Sequence, residues 1–449
     1  MSGPSPQDEG VGSTLPDRRG RMSWQRTLDE HLFGAGPKRI LSLDGGGVRG
    51  LITLGMLKKV EAVLEARHGP DLRLCDYFDL IGGTSTGALI AALLALGHKV
   101  DQIISLYRDM IPNIFYRRSL LQGISAKFDS SAFASAIDKV IGDFLERSGR
   151  DRHDVGGLRM NSPLILTGLA IVAKRIDTGS VWVLTNNPRA KYWDANSQLW
   201  RKHLVETKST EFFPNSDYEL RTIVRASASA PFYLDGVELR ISKDEVGHFL
   251  DGAVSPFNNP CQELFLMTTL RVVDGAWNEE KVSPYGFGWP TGADNLLLLS
   301  LGCGSWRHRI VSRAFARKYA ISKAFVALTG IIDDTSTHST IWMQAISKCP
   351  RPYYINTNLL GMEGLSIVEQ PLLTFRRINP RLENDWLERE LGTAFRYSAR
   401  VLARTRELDR SDRRNLDRLL DIGLATGEKL ISSDDFPAVF DLQRNLVAA

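Results

Sequence analysis

Gly83-Thr84-Ser85-Thr86-Gly87 sits between the apolar run Tyr77-Phe78-Asp79-Leu80-Ile81-Gly82 and the Ala/Leu-rich stretch from Ala88 to Leu96. The run reads as a short buried strand and the stretch as a helix, so the five residues form a G-x-S-x-G turn at a strand-to-helix junction. A serine in such a turn takes a strained backbone conformation and is pushed out at the top of a sheet. Gly83 and Gly87 are required because no Cβ fits where the two backbones close on each other. The hydroxyl also meets a helix N-terminus, whose dipole favours a developing oxyanion. Ser85 is therefore the candidate nucleophile.

Two further strings supply what a nucleophilic serine needs. Upstream, Lys38 to Leu43 reads as another strand and runs into Asp44-Gly45-Gly46-Gly47-Val48-Arg49-Gly50. Three adjacent glycines at a strand-to-helix junction leave backbone N–H groups able to point at an anion. Downstream, Phe249-Leu250-Asp251-Gly252-Ala253 puts a carboxylate beside a glycine at the end of a short apolar run, a candidate base. Gly45-x-Gly47-x-x-Gly50 also fits a dinucleotide fingerprint, but that needs an acid about twenty residues on, at the end of a second strand. Asp71 and Asp76 lie in a stretch that reads as loop.

The three strings, in this order and spacing, resemble the motifs of the patatin-like phospholipases, bacterial serine acylhydrolases included. Arg225-Ala226-Ser227-Ala228-Ser229-Ala230-Pro231-Phe232, Asn258-Asn259-Pro260 and Leu298-Leu299-Ser300-Leu301-Gly302-Cys303-Gly304 resemble secondary family segments, with Cys303 where Thr is commoner. The resemblance covers roughly residues 38 to 305. It implies an α/β fold, a three-layer α/β/α sandwich, and a serine lipid acylhydrolase that releases fatty acids from glycerophospholipids. It further implies a Ser–Asp dyad, with Ser85 as nucleophile, Asp251 as general base, and an oxyanion hole of Gly45, Gly46 and Gly47. Asp44, Arg49, Gly50, Gly83, Gly87 and Gly252 support the motifs. Arg49 either stiffens the glycine loop or attracts a lipid phosphate. Neither a metal nor a cofactor is implied. Some bacterial relatives are cyclic-nucleotide-activated phospholipases of antiviral systems, so a ligand-regulated effector is the alternative function and a cyclic nucleotide a candidate activator. A Ser-Asp-His esterase built with His308 or His338 is a further alternative; His248 reads as part of the strand before Asp251.

Composition sets the outer limits. The 449 residues suit one large α/β domain with an appended helical part. A formal net charge of +4 gives no basis for binding a nucleic-acid polymer and is compatible with anionic membranes. Cys75, Cys261, Cys303 and Cys349 are scattered without metal-binding spacing and read as reduced thiols of a cytoplasmic protein. The longest apolar run, Ala88 to Leu96, is too short to span a bilayer, so contact with lipid is expected to be peripheral. The aromatic-basic segment Phe115 to Leu121 reads either as a packed loop with its arginines in solvent or as the candidate contact, and the basic cluster from Arg307 to Lys318 as a solvated helix end or an anionic-ligand site. A homo-oligomer is left open.

The expected organisation is a flexible leader over 1–37, a catalytic domain over 38–305, and a mostly helical extension over 306–449 packed on the core. In that extension the patterns suggest helices at Ala314 to Ile332, Ser336 to Ser347, Asp385 to Leu391 and Ser411 to Glu428, and a strand at Pro352 to Thr357.

Overall fold

The computed structural model describes residues 25–114, 128–194, 212–231, 233–272, 283–307 and 320–443. The segment Phe115 to Leu121, the stretch from His308 to Lys318 and most of the leader lie outside them. Eight strands form one sheet: β1 (Lys38–Leu43), β2 (Leu80–Thr84), β3 (Gly168–Arg175), β4 (Val181–Thr185), β5 (Val237–Arg240), β6 (Val246–Asp251), β7 (Leu296–Leu301) and β8 (Thr374–Ile378). The parallel part runs β3-β2-β1-β7-β8. Its strands are buried along nearly their whole length, because helices cover both faces. In β1, Leu41 and Leu43 enter one core cluster and Ile40 the other. The first cluster holds the helices Gly50–His68, Thr86–Ala95, Val100–Ile114 and Ser130–Arg147; the second takes Leu32, Leu264 and Met343 from the opposite layer. The chain is a three-layer α/β/α sandwich with further helices near its C-terminal end.

One register detail positions the functional centre. β2 pairs with β3 as far as Thr84 opposite Val172, and there the chain leaves the sheet at Ser85. β6 then pairs antiparallel with β3 from Ala173, which faces Asp251. β4 occupies the other edge of β3 at Ala173, so β2 and β6 meet end to end along one edge. Ser85 and Asp251 are brought together by that junction.

The described residues beyond 306 form the helices Ala320–Ala345, Asn384–Leu391, Ala399–Arg406 and Arg413–Leu430. One continuous helix replaces the two expected between 314 and 347 within the described part. The expected strand at Pro352 to Thr357 is irregular, with a single bridge between Asn356 and Leu360. The strand of this region is β8, which joins the central sheet beside β7 in parallel. Its sequence, Thr374-Phe375-Arg376-Arg377-Ile378, hides it, because two arginines break the apolar pattern. Both are buried and paired: Arg376 Nε donates to Asp435 at 2.9 Å, and Arg377 reaches Asp44. The helix Arg413–Leu430 lies so close on Gly50–His68 that a Cβ on Gly423 would stand 2.3 Å from the Ile52 carbonyl oxygen. Only glycine permits that approach.

A buried ionic knot closes the other end of the sheet. Asp79, fully buried just before β2, accepts hydrogen bonds from Arg26, from the Arg39 backbone N–H at 2.8 Å and from Arg39 Nη1 at 3.1 Å. His31 Nδ1 lies 3.2 Å from it. Burial alone would raise the Asp79 pKa, but Arg26, His31 and Arg39 together hold it well below the usual carboxylate range. Arg39 also donates to the carbonyls of Phe440 and Asp441, so the first and last described segments meet here. Among the described residues no helix is long and apolar enough to cross a membrane.

Candidate active site

Ser85 precedes the helix Thr86–Ala95 with φ 56° and ψ −125°, a conformation that L-residues rarely adopt. The glycines around it are demanded by contact. A Cβ on Gly83 would lie 2.2 Å from the Gly87 carbonyl oxygen, and one on Gly87 would lie 2.4 Å from that of Leu43. The strained serine is braced from below. Its N–H donates to Ser227 Oγ at 2.9 Å, and Ser227 Oγ donates to the Val172 carbonyl at 2.6 Å.

Ser85 Oγ donates to Asp251 Oδ2 at 2.6 Å. The other carboxylate oxygen of Asp251 accepts the Ala253 N–H at 2.8 Å. Asp251 is 1% exposed, and burial pushes its pKa up to about 7 against the opposing hydrogen bonds from Ser85 and Ala253. A carboxylate at that value can exchange a proton near neutral pH, which an ordinary aspartate cannot do well. Gly252 is held where a Cβ would meet the Val172 carbonyl oxygen at 2.5 Å.

The glycine loop lies beside this pair, with its three N–H groups in different states. The Gly45 N–H donates to the Asn258 carbonyl at 3.1 Å, so Gly45 shapes the loop and its N–H is already engaged. The Gly46 N–H donates to Thr86 Oγ1 at 3.1 Å, a hydroxyl that a substrate oxygen can displace. The Gly47 N–H has no partner among the described residues. Around the loop, the Cys303 thiol donates to the Gly45 carbonyl at 3.1 Å and the Tyr107 hydroxyl to the Gly47 carbonyl at 2.6 Å. Arg49 donates to the Gly304 carbonyl at 2.9 Å and stacks over Trp306 at 4.8 Å. It braces the loop.

Asp44 is anchored from far away. Arg377 Nη1 and Nη2 donate to its two carboxylate oxygens at 2.8 and 2.6 Å, and Nη1 also reaches Ser300 Oγ at 2.8 Å. Burial alone would lower the Arg377 pKa, and the Asp44 carboxylate more than reverses this. The pair ties β1, β7 and β8 together at the end that carries the glycine loop. Tyr107 and Arg377 lie in the candidate site without having been singled out from the sequence; Thr86 and Asn258 were quoted only as parts of motifs.

Ser85, Asp251, Thr86, Asn258, Arg377 and the three glycines of the loop line one cavity of about 300 Å³. Among the described residues no histidine lines it. His248 is exposed on β6, 3.4 Å from Glu238, and His338 is exposed against Trp342. His308 lies outside the described residues.

The sequence profile of the patatin-like phospholipases matches residues 41–265, half of the chain and every motif just described. This chain belongs to the patatin-like phospholipase family. It is 32% identical over 225 residues to the cUMP-AMP-activated phospholipase of Escherichia coli, a stretch that covers 49% of this chain and 56% of that protein. It is 26% identical over 332 residues to the probable inactive patatin-3-Kuras 1 of Solanum tuberosum, covering 72% and 75%. A cGAMP-activated phospholipase of Escherichia coli strain TW11681 is 37% identical over 110 residues, covering 23% and 31%. The match thus spans little more than half of the first of these relatives.

Proposed function

We propose that this patatin-like chain is a serine lipid acyl hydrolase that releases fatty acids from glycerophospholipids. The observation that carries the reading is the 2.6 Å hydrogen bond from Ser85 Oγ to the buried Asp251 carboxylate on the floor of a cavity. Asp251 takes the hydroxyl proton as Ser85 Oγ attacks the acyl carbonyl carbon. The carbonyl oxygen becomes an oxyanion, met by the N–H groups of Gly46, Gly47 and Thr86. Collapse expels the alcohol, which takes the proton from Asp251, and leaves an acyl-serine. Water then attacks the ester, with Asp251 again as base, and frees the fatty acid.

Ser85→Ala and Asp251→Asn should each lower turnover by roughly 10⁴-fold or more, and the double variant should lose little beyond either single one. A serine-directed phosphonate should label Ser85 alone. Full activity in either variant, or labelling elsewhere, would overturn the dyad.

A regulated version of the same chemistry is favoured by two of the relatives, whose names describe phospholipases activated by cUMP-AMP and by cGAMP. Lipid products from the purified protein, measured with and without a panel of cyclic dinucleotides, decide this. Equal rates throughout would exclude it.

A further inference from the structure

The Gly46 N–H belongs to the peptide unit that joins Gly45 to Gly46. A Cβ placed on Gly45 would stand 2.9 Å from Ser85 Cβ, so this unit lies against the nucleophile. With glycine on either side, no Cβ resists rotation of the unit about its flanking bonds. In a trans peptide the C=O and N–H point in opposite directions. A half-turn would withdraw the N–H and present a carbonyl oxygen to the developing negative charge. The unit needs a lock on its carbonyl side.

Each carbonyl of the loop is held, and each by a different group. That of Gly46 accepts the Arg49 N–H at 3.1 Å, and that of Gly47 accepts the Tyr107 hydroxyl at 2.6 Å. That of Gly45 accepts the Cys303 thiol at 3.1 Å. The sheet puts the thiol there. β7 pairs in parallel with β1 as far as Leu301 opposite Leu43, and the same register two residues on sets Cys303 against Gly45. The backbone on either side of Cys303 is fixed: the Gly302 N–H donates to the Ile378 carbonyl at 2.9 Å, and the Gly304 N–H to Asn379 Oδ1 at 2.8 Å. Sγ packs so tightly on the loop that a Cβ on Gly46 would fall 2.1 Å from it. Burial pushes the Cys303 thiol pKa up, so the sulfur keeps its hydrogen and donates it.

We propose that Cys303 is a positioning residue of the oxyanion hole: its thiol holds the Gly45 carbonyl back and so keeps the Gly46 N–H turned towards the charge that forms beside Ser85. The inference rests on the acyl-hydrolase reading. At rest that N–H points at Thr86 Oγ1, 3.1 Å away in the cavity lining, which is the direction the mechanism requires. A hydrogen bond on the carbonyl also polarises the peptide unit and makes its N–H a better donor. A thiol is a weak donor, so the lock depends on where the sulfur stands, and a hydroxyl at the same place can replace it.

The test separates the donor from its size. In the full chain, Cys303→Ala and Cys303→Val both remove the donor, one leaving space and the other filling it, while Cys303→Ser keeps a donor. The substrate is dihexanoylphosphatidylcholine below its micelle concentration. The alanine and valine variants should lower kcat by about 10- to 100-fold while KM moves less than about threefold, because the weakened interaction is made only in the transition state. Cys303→Ser should stay within about threefold of the wild type. A hexyl trifluoromethyl ketone, whose adduct with Ser85 carries the oxyanion, should lose affinity in step with kcat/KM across the series. In the Ser85→Ala background, calorimetric binding of the intact lipid should be the same for all three variants. Unchanged melting temperatures confirm that they are folded. Wild-type kcat in the alanine and valine variants, or a loss that follows side-chain size instead of the donor, would overturn the inference and leave the hydrolase reading standing. A wild-type chain that hydrolyses no ester, with or without a cyclic dinucleotide, would overturn the hydrolase reading and the positioning role with it.

Discussion

The proposed base, Asp251, must be ionised to act, yet it is held with almost no contact with water, and the two demands conflict. Its pKa of about 7 lies well above the ~3.9 of an unfolded aspartate. Between those values the folded chain binds the extra proton, so this group makes stability fall as pH rises from about 4 to about 7. Above pH 7 the whole penalty is present, and so is the ionised carboxylate that the proposed mechanism needs. Asp251→Asn should therefore melt above the wild type at pH 8, with the gap closing towards pH 4. A lower melting temperature at pH 8 would mean that the carboxylate's hydrogen bonds outweigh its burial. For the wild type, kcat/KM should climb from pH 5 to pH 8 with a midpoint near 7, and a flat profile would remove Asp251 as the base. Residues of this kind were legible because their chemistry is local. Ser85, Gly83 and Gly87 lie within five positions, and a close backbone approach leaves glycine as the only choice. Tyr107 was not legible, since nothing in its own surroundings announces that it ends beside the glycine loop.

At the scale of elements, the sheet was readable where strands are apolar and hidden where one is not. β1, β2 and β7 show as runs of Leu, Ile and Gly before a turn, whereas β8 reads as a charged segment until its partners are known. Arg377 finds Asp44 333 positions away, a distance that no local pattern spans. Removing one member of a buried ion pair strands the other, so Arg377→Met should cost about 3–5 kcal/mol of stability. Asp44→Asn together with Arg377→Met leaves no unpaired charge and should recover part of that loss. Turnover should stay low in the double variant, because the glycine loop has lost its tie to β8. Denaturant unfolding and steady-state kinetics separate the two effects. Full turnover in a refolded double variant would mean that the loop needs no anchor.

For the whole molecule, the match to the family's sequence profile ends at residue 265 but the architecture does not. Asp79 gathers Arg26, His31 and Arg39 at one end of the sheet, and Arg39 reaches Phe440 and Asp441. Asp79→Asn should therefore destabilise the entire chain by about 3–5 kcal/mol, seen as a single cooperative transition at lower denaturant. A separate early transition confined to the N-terminal helix would show that the knot fastens only that helix.

The place of β8 in the sheet bears on how such a protein can be divided. Residues 25–305 contain every motif, yet alone they would carry Asp44 without its counter-charge and β7 with an open edge. That piece should be insoluble when expressed by itself. Residues 320–443 supply the missing strand, the counter-charge and the helix that meshes at Gly423. Expressed together as two separate polypeptides that between them keep the whole sequence, the first ending at Arg307, the pieces should find each other and restore hydrolysis, making that boundary a site for a split-enzyme reporter. Soluble, active 25–305 on its own would show that the later chain is dispensable.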